Sequence, residues 1–324
     1  DIELNEIAKV AASKNVYIAI HLRDEGESVI ESVREVIGAA EQAKANLKIS
    51  HLKIRHKKNQ QLVSNVLSEL ESAWHRGLNV NFDVYPYTST WQALYTYLPS
   101  WATMGGRANL LKILKEPTQR TKILSALINS PSNIPNLMIA STSTKLMVTG
   151  KRISAIASDF GSTCEVALFH FIENGGIEIL VFDTSLDEKT VKDFCNHALG
   201  YIGTNGSGYS IADTDKLIHP RCFGTAPKFL HNVLRDKSIS LSDAIYKLTS
   251  GPAKKAGILN RGIIAIDAKA DLVLFDPEII NSQASIENPY QYADGISHVW
   301  VNGTLTVTNK TMTGNLSGVF LKRA

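Results

Sequence analysis

Ile18-Ala19-Ile20-His21-Leu22-Arg23-Asp24-Glu25 and Leu47-Lys48-Ile49-Ser50-His51-Leu52-Lys53 are two short apolar runs, each closing on a histidine. Such runs, bounded by polar residues, suit strands of a parallel sheet covered on both faces. The two histidines stand thirty residues apart, the length of one strand, helix and turn of a βαβ unit. Neighbouring parallel strands would aim both imidazoles at one mouth, where barrel enzymes keep their chemistry. A single strand-end histidine is as readily a packing residue. Two on successive strands form a candidate metal pair, and neutral imidazole suits zinc.

The pattern continues outward from this pair. Ile2 to Ala11 has helical period, Val29 to Lys44 reads as the helix between the two strands, and Leu62 to His75 as the next helix, ended by Gly77. Leu78 to Tyr87 reads as a third strand stopped at Pro86. Strand and helix in alternation mean a parallel sheet with right-handed crossovers. From about 88 to 150 the rhythm breaks, with a Trp-rich loop, a basic helical stretch near Leu110 to Asn129, the Pro-rich run 130–135 and a strand at Leu137 to Ala140. This stretch is expected to be an insertion or lid. Helices follow over Arg152 to Phe160, Cys164 to Glu173 and Asp187 to Ala198, the last capped by Ser185. Tyr201 to Gly206 reads as a further strand ending at Asn205, and Leu241 to Lys247 as a helix. The domains are therefore 1–259, an α/β body with the insertion at about 88–150, and 260–324, a small β domain whose Asn302-Gly303 signals a hairpin.

Composition bounds the function. With 324 residues, 44% hydrophobic and 20% charged, the chain is ordinary globular protein. Its 34 basic and 31 acidic residues nearly balance, and no basic, aromatic-studded stripe points to nucleic acid. No apolar run reaches the roughly 18 to 20 residues needed to cross a bilayer, so no membrane partner is expected. Cys164, Cys195 and Cys222, read as lying in helix, helix and loop, have no paired-ligand spacing and no disulfide framework. That fits a reducing compartment, and a cytoplasmic location is expected. The first residues read as a mid-domain helix without initiator Met or signal peptide, so an upstream segment is expected to be missing.

Seven pieces in order carry a resemblance. They are His21-Leu22-Arg23-Asp24-Glu25; Ser50-His51-Leu52-Lys53; Asp83-Val84-Tyr85-Pro86-Tyr87; Leu98-Pro99-Ser100-Trp101-Ala102 with Gly105-Gly106; Ile202-Gly203-Thr204-Asn205-Gly206; His219-Pro220-Arg221 with Gly224-Thr225; and the tail from Arg261-Gly262 through Ala270 to Pro277. Together they resemble the D-aminoacylases, or N-acyl-D-amino-acid deacylases, of the amidohydrolase superfamily. The resemblance implies a partial (β/α)8 barrel, strands five to eight, with an inserted lid after the seventh strand and a small C-terminal β-sandwich portion. It implies zinc, one or two ions, held by His21 and His51. It puts the substrate carboxylate on Arg221 and Tyr85, with further contacts from Lys53, Ser89 and its hydroxyl neighbours Thr88 and Thr90, and from His219. The implied reaction is metal-dependent hydrolysis of an N-acyl-D-amino acid, a small molecule.

The chemistry agrees with these residue types. An amide is a poor electrophile, and a zinc ion both polarises its carbonyl and activates water. A guanidinium grips a carboxylate through two parallel hydrogen bonds, and Arg221 stands on what reads as a proline-stiffened turn.

Two departures from the family pattern stand out. There is no His-x-His, which the family carries on its first strand with a cysteine ligand, and two histidines are fewer than the three or four donors zinc takes. Half a barrel also leaves raw sheet edges. A missing N-terminal half or a second chain is therefore expected, unless the barrel is incomplete. Asn205 stands where the family has the aspartate that moves the proton, so impaired activity is expected, with Asp213 and Asp215 nearby as substitutes. The alternatives are a catalytically inactive binding protein or fragment, and a different amidohydrolase acting on cyclic amides.

Overall fold

Four short parallel strands organise the molecule, β1 (Tyr17–Ile20), β2 (Asn46–Ile49), β3 (Val80–Val84) and, far along the chain, β7 (Gly200–Ile202). They lie side by side in the order β1-β2-β3-β7, with Ile18 beside Leu47, Leu47 beside Val80, and Phe82 beside Gly200. The computed structural model describes residues 2–129, 133–142, 147–175, 178–212 and 216–322. Residues 130–132 of the Pro-rich run, and Asp213 and Asp215, lie outside the described residues.

The crossovers are helices Val29–Ala43 and Val63–His75, close to the spans read from the sequence. Val33, Val36, Ile37 and Ala40 of the first, and Val66, Leu70 and Ala73 of the second, pack into one core with Leu47, Ile49, Val80, Phe82 and Phe229. The 3.6-residue spacing of these apolar positions makes each helix a one-faced lid for the sheet. β7 comes against β3 through a close approach. A Cβ on Gly200 would stand 2.6 Å from the Phe194 carbonyl oxygen and 2.9 Å from the Phe82 ring, so only glycine fits there.

Between β3 and β7 the chain builds a second core. β4 (Thr90–Ala93), β5 (Met138–Ser141) and β6 (Leu180–Asp183) form an antiparallel sheet in the order β4-β6-β5. Leu94, Leu114, Ile139, Phe169, Phe171 and Val181 are among its buried side chains. The basic stretch near Leu110 is two helices, Gly106–Lys115 and Pro117–Ile128, because Pro117 starts a new first turn where it needs no donor. Helices Ile153–Asp159 and Cys164–Gly175 follow.

Three local expectations are corrected. The helix Glu188–Asn196 is capped by Asp187, whose Oδ1 accepts the Thr190 N–H at 2.8 Å, and not by Ser185. Asp187 is the residue directly before the first turn, where a side-chain oxygen reaches the free donors. Arg221 does not sit on a turn: it opens the helix Arg221–Asp236, with Pro220 before it. Cys222 is in the first turn of that helix, where a loop was expected.

After helices Leu241–Leu248 and Ser250–Ala256, β8 (Leu272–Phe275), β9 (Ile296–Val301), β10 (Thr304–Thr308) and β11 (Thr311–Met312) make an antiparallel sheet in the order β11-β10-β9-β8. Asn302 and Gly303, both with positive φ, turn β9 into β10, as the dipeptide demands. Among the described residues no helix is long and apolar enough to cross a membrane.

Candidate metal and carboxylate site

The strand ends deliver their histidines together. His21 follows β1 directly and His51 lies two residues beyond β2. Their rings stack with centroids 4.4 Å apart, and His21 Nδ1 contacts His51 Nε2. The pairing foreseen from the sequence is present.

His51 reaches this place through an unusual backbone. Its φ is 41°, a left-handed conformation that a residue with a Cβ adopts at a cost. Asp83 on β3 holds it there. The Asp83 Oδ1 accepts the His51 N–H at 2.7 Å, and the Asp83 carbonyl accepts the Leu52 N–H at 2.8 Å. The other Asp83 oxygen pairs with Lys48.

Behind His51 stands Lys53, expected as a substrate contact, whose ammonium is instead engaged by Glu25, a residue that sequence reading gave no role. Lys53, buried, donates to Glu25 Oε1 at 2.5 Å, and His51 Nδ1 lies 2.7 Å from the Lys53 Nζ and 3.2 Å from the same Glu25 oxygen. Burial pushes against the Glu25 charge, but Lys53 and His51 outweigh it and hold the carboxyl down at about 2. Burial lowers Lys53, with Glu25 working to keep it charged. His21 is lowered by burial first and by His51 second, which favours the neutral, metal-ligating form of its ring. The only sequence signal for Glu25 was its place four residues past a strand-end histidine.

The second part of the site surrounds Arg221. This side chain is 4% exposed and has no carboxylate partner among the described residues. Its guanidinium lies over the Tyr85 ring at 4.7 Å and near the Trp91 ring at 6.0 Å. Arg221 Nε, the Tyr85 hydroxyl and the Trp91 indole N–H are all buried without a hydrogen-bond partner among the described residues. Burial raises the Tyr85 hydroxyl to about 12, so it stays a protonated donor. A buried cation flanked by unused donors is arranged for an anion.

His219 and Ser89, expected as substrate contacts, are engaged with the protein. His219 is fully buried, its Nδ1 accepts the Arg221 backbone N–H at 3.0 Å, and its Nε2 lies 2.9 Å from Ser89 Oγ and 3.0 Å from the Ser89 carbonyl. Accepting at Nδ1 puts the proton on Nε2, which donates to that carbonyl. Burial, helped by Arg221, lowers His219 to about 3. Its geometry fixes the helix start that carries Arg221. Thr88 is exposed, and Thr90 Oγ1 is buried without a hydrogen-bond partner among the described residues.

Asn205 lies three residues beyond β7, exposed, with φ 43°. Asp213 and Asp215, the substitutes considered for it, fall outside the described residues. As for the metal, two imidazole nitrogens converge, which fits the donor chemistry of zinc. Among the described residues no group of three or more His, Cys, Asp or Glu side chains joins into a metal-binding cluster.

Comparisons with known proteins bear on this geometry. A model of the Amidohydrolase family matches residues 213–307. The N-acyl-D-glutamate deacylase of Alcaligenes xylosoxydans xylosoxydans is 25% identical over 302 residues, 93% of this chain and 53% of that protein. The D-aminoacylase of the same organism is 25% identical, over 99% of this chain and 58% of that protein. The chain resembles the N-acyl-D-amino-acid deacylases along nearly its whole length. The crystal structure of N-acyl-D-glutamate deacylase from Bordetella bronchiseptica, complexed with zinc and a phosphonate inhibitor, superposes with a TM-score of 0.77 at 23% identity, over 94% of this chain and 56% of that one. The D-aminoacylase-type α/β fold expected from the sequence is therefore present. The chain spans about half the length of the deacylases it matches.

Proposed function

We propose that this chain carries the substrate-binding half of a metal-dependent deacylase of N-acyl-D-amino acids. The observation that carries the reading is Arg221, a buried guanidinium without a counter-ion among the described residues, beside a Tyr85 hydroxyl that has no hydrogen-bond partner among them. These two groups would bind the substrate carboxylate, and the bidentate guanidinium would fix its orientation. His219 would keep Arg221 in place through the hydrogen bond at the helix start.

His21 and His51 would hold zinc, a reading supported by the convergence of their nitrogens and by the zinc of the Bordetella relative. When bound, the metal supplies Lewis-acid polarisation of the amide carbonyl. We place its remaining donors on a segment outside these 324 residues or on a second chain. The two-donor set and the roughly double length of the relatives support that placement. On the same reading β1, β2, β3 and β7 are strands five to eight of an eight-stranded barrel, residues 88–150 belong to a lid, and 260–324 form a β domain. The three free cysteines support a reducing, cytoplasmic setting.

Asn205 favours slow chemistry. An amide can form the hydrogen bonds of a carboxylate, yet it moves no proton, and a general base contributes about 10²- to 10⁴-fold. A second reading, a binding protein without turnover, draws on the same residue. Elemental analysis of the metal-loaded, dialysed chain, with hydrolysis of N-acetyl-D-amino acids, tests both. Retained zinc with turnover that rises in Asn205→Asp supports the deacylase. Binding without turnover at any metal load supports the second reading, and neither zinc nor binding refutes both.

A further inference from the structure

Resting on the deacylase reading, we infer that Arg55 is a second anion receptor of the site, so that the ligand is an acyl amino acid whose side chain itself ends in a carboxylate, the aspartate or glutamate class.

Arg55 follows β2 at the same strand end as His51 and Lys53, and its backbone N–H donates to the Glu25 carbonyl at 2.6 Å. It thus stands beside the Lys53–Glu25 pair, and its charge, like that of Arg221, acts on both Lys53 and the Tyr85 hydroxyl. The two arginines are alike in what they lack. Neither has an ion-pair partner among the described residues, and the Nε of each is buried without a hydrogen-bond partner among them. Each guanidinium lies against an aromatic ring, Arg221 over Tyr85 at 4.7 Å and Arg55 over Tyr97 at 5.0 Å.

The nearby carboxylates are committed elsewhere. Glu25 holds Lys53, and Asp83 pairs with Lys48. Asp183, fully buried, accepts from the Tyr97 hydroxyl at 2.8 Å and from the Asn133 amide at 3.1 Å. It offsets the Arg55 charge from beyond the Tyr97 ring and gives the guanidinium no hydrogen bond. Further donors stand on the same side. Thr90 lies opposite Asp183 on the paired strand and Gln92, two residues on, shares that face. Thr90 Oγ1 and Gln92 Nε2 are again buried without a hydrogen-bond partner among the described residues. A guanidinium, a hydroxyl and an amide N–H with no acceptor of their own match the lone pairs of a carboxylate. Donors left buried and unmade cost free energy, which a bound acid group recovers. With Arg221 taken by the α-carboxylate, Arg55 is left for the acid of the side chain.

Calorimetric titration of the zinc-loaded chain with N-acetyl-D-aspartate and N-acetyl-D-glutamate, each against its own amide, N-acetyl-D-asparagine or N-acetyl-D-glutamine, tests the inference. At least one acid is expected to bind about thirtyfold more tightly than its amide, the scale of a truncated buried charge pair. In Arg55→Met that ratio is expected to fall to within about threefold while the amide keeps its affinity. Acids no tighter than their amides in the unaltered chain, or a ratio that survives in an Arg55→Met variant with native circular dichroism, overturn the inference and leave the deacylase reading standing. So does an equal weakening of acid and amide in that variant, which would mark Arg55 as a packing residue. Where the variant does not fold, the comparison within the unaltered chain decides. Failure of all four compounds to bind overturns both.

Discussion

Replacing Arg221 by methionine should make the protein more stable and less able to bind its ligand. Arg221 is 4% exposed, and its Nε meets no acceptor among the described residues. Removing an ion from water costs several kcal/mol after relaxation, and no carboxylate among the described residues offsets it. The Tyr85 and Trp91 rings at 4.7 and 6.0 Å return part of that cost, about 2 kcal/mol for desolvated cation–π contacts. Methionine has similar length and no charge, and it keeps the backbone N–H that His219 accepts. The balance is a gain of about 1 to 3 kcal/mol in unfolding free energy, read from urea denaturation followed by circular dichroism. Carboxylate binding, read by calorimetry, should fall at least thirtyfold, because a truncated buried charge pair costs about 2 kcal/mol or more. A variant less stable by more than about 1 kcal/mol would refute the reasoning. It would mean that Arg221 is a structural residue with a partner of its own.

Glu25→Gln leaves the buried Lys53 without its carboxylate and should cost about 3 kcal/mol in urea denaturation; a loss under about 1 kcal/mol would count against the pair. His219 supplies a pH dependence. Its folded-state pKa, about 3, lies below the ordinary 6.5, so the unfolded chain takes up the proton first. The stability it contributes is fully present above pH 6.5 and is lost as pH falls toward 3, by up to about 1.4 kcal/mol per pH unit. Denaturation midpoints that stay level from pH 6.5 to 4 would exclude a neutral, buried His219.

The parallel sheet was legible because each strand is a short apolar run and each crossover helix repeats apolar residues at helical spacing. The histidine pair was legible for the same reason, since strand ends in one sheet share a mouth. What stayed hidden depends on contacts between distant residues. Nothing local marks Asp83 as the group that holds the backbone of His51, thirty-two residues earlier. Glu25 reads as an ordinary charged residue until Lys53 is seen against it. Arg221 looked like a turn residue because its proline suggested one, whereas proline before the first helical turn is equally at home. The cap at Asp187 rather than Ser185 was a matter of two residues, finer than apolar spacing resolves.

The left-handed turn at His51 links the site to the order in which the sheet comes together. Its backbone geometry is held by a side chain on the neighbouring strand, so it exists only once β2 and β3 have met in their native alignment. A slip of one residue between them would move Asp83 to the opposite face of its strand and release the turn. Assembly of the sheet and creation of the histidine pair are therefore one event. A misaligned intermediate would lack the paired imidazoles.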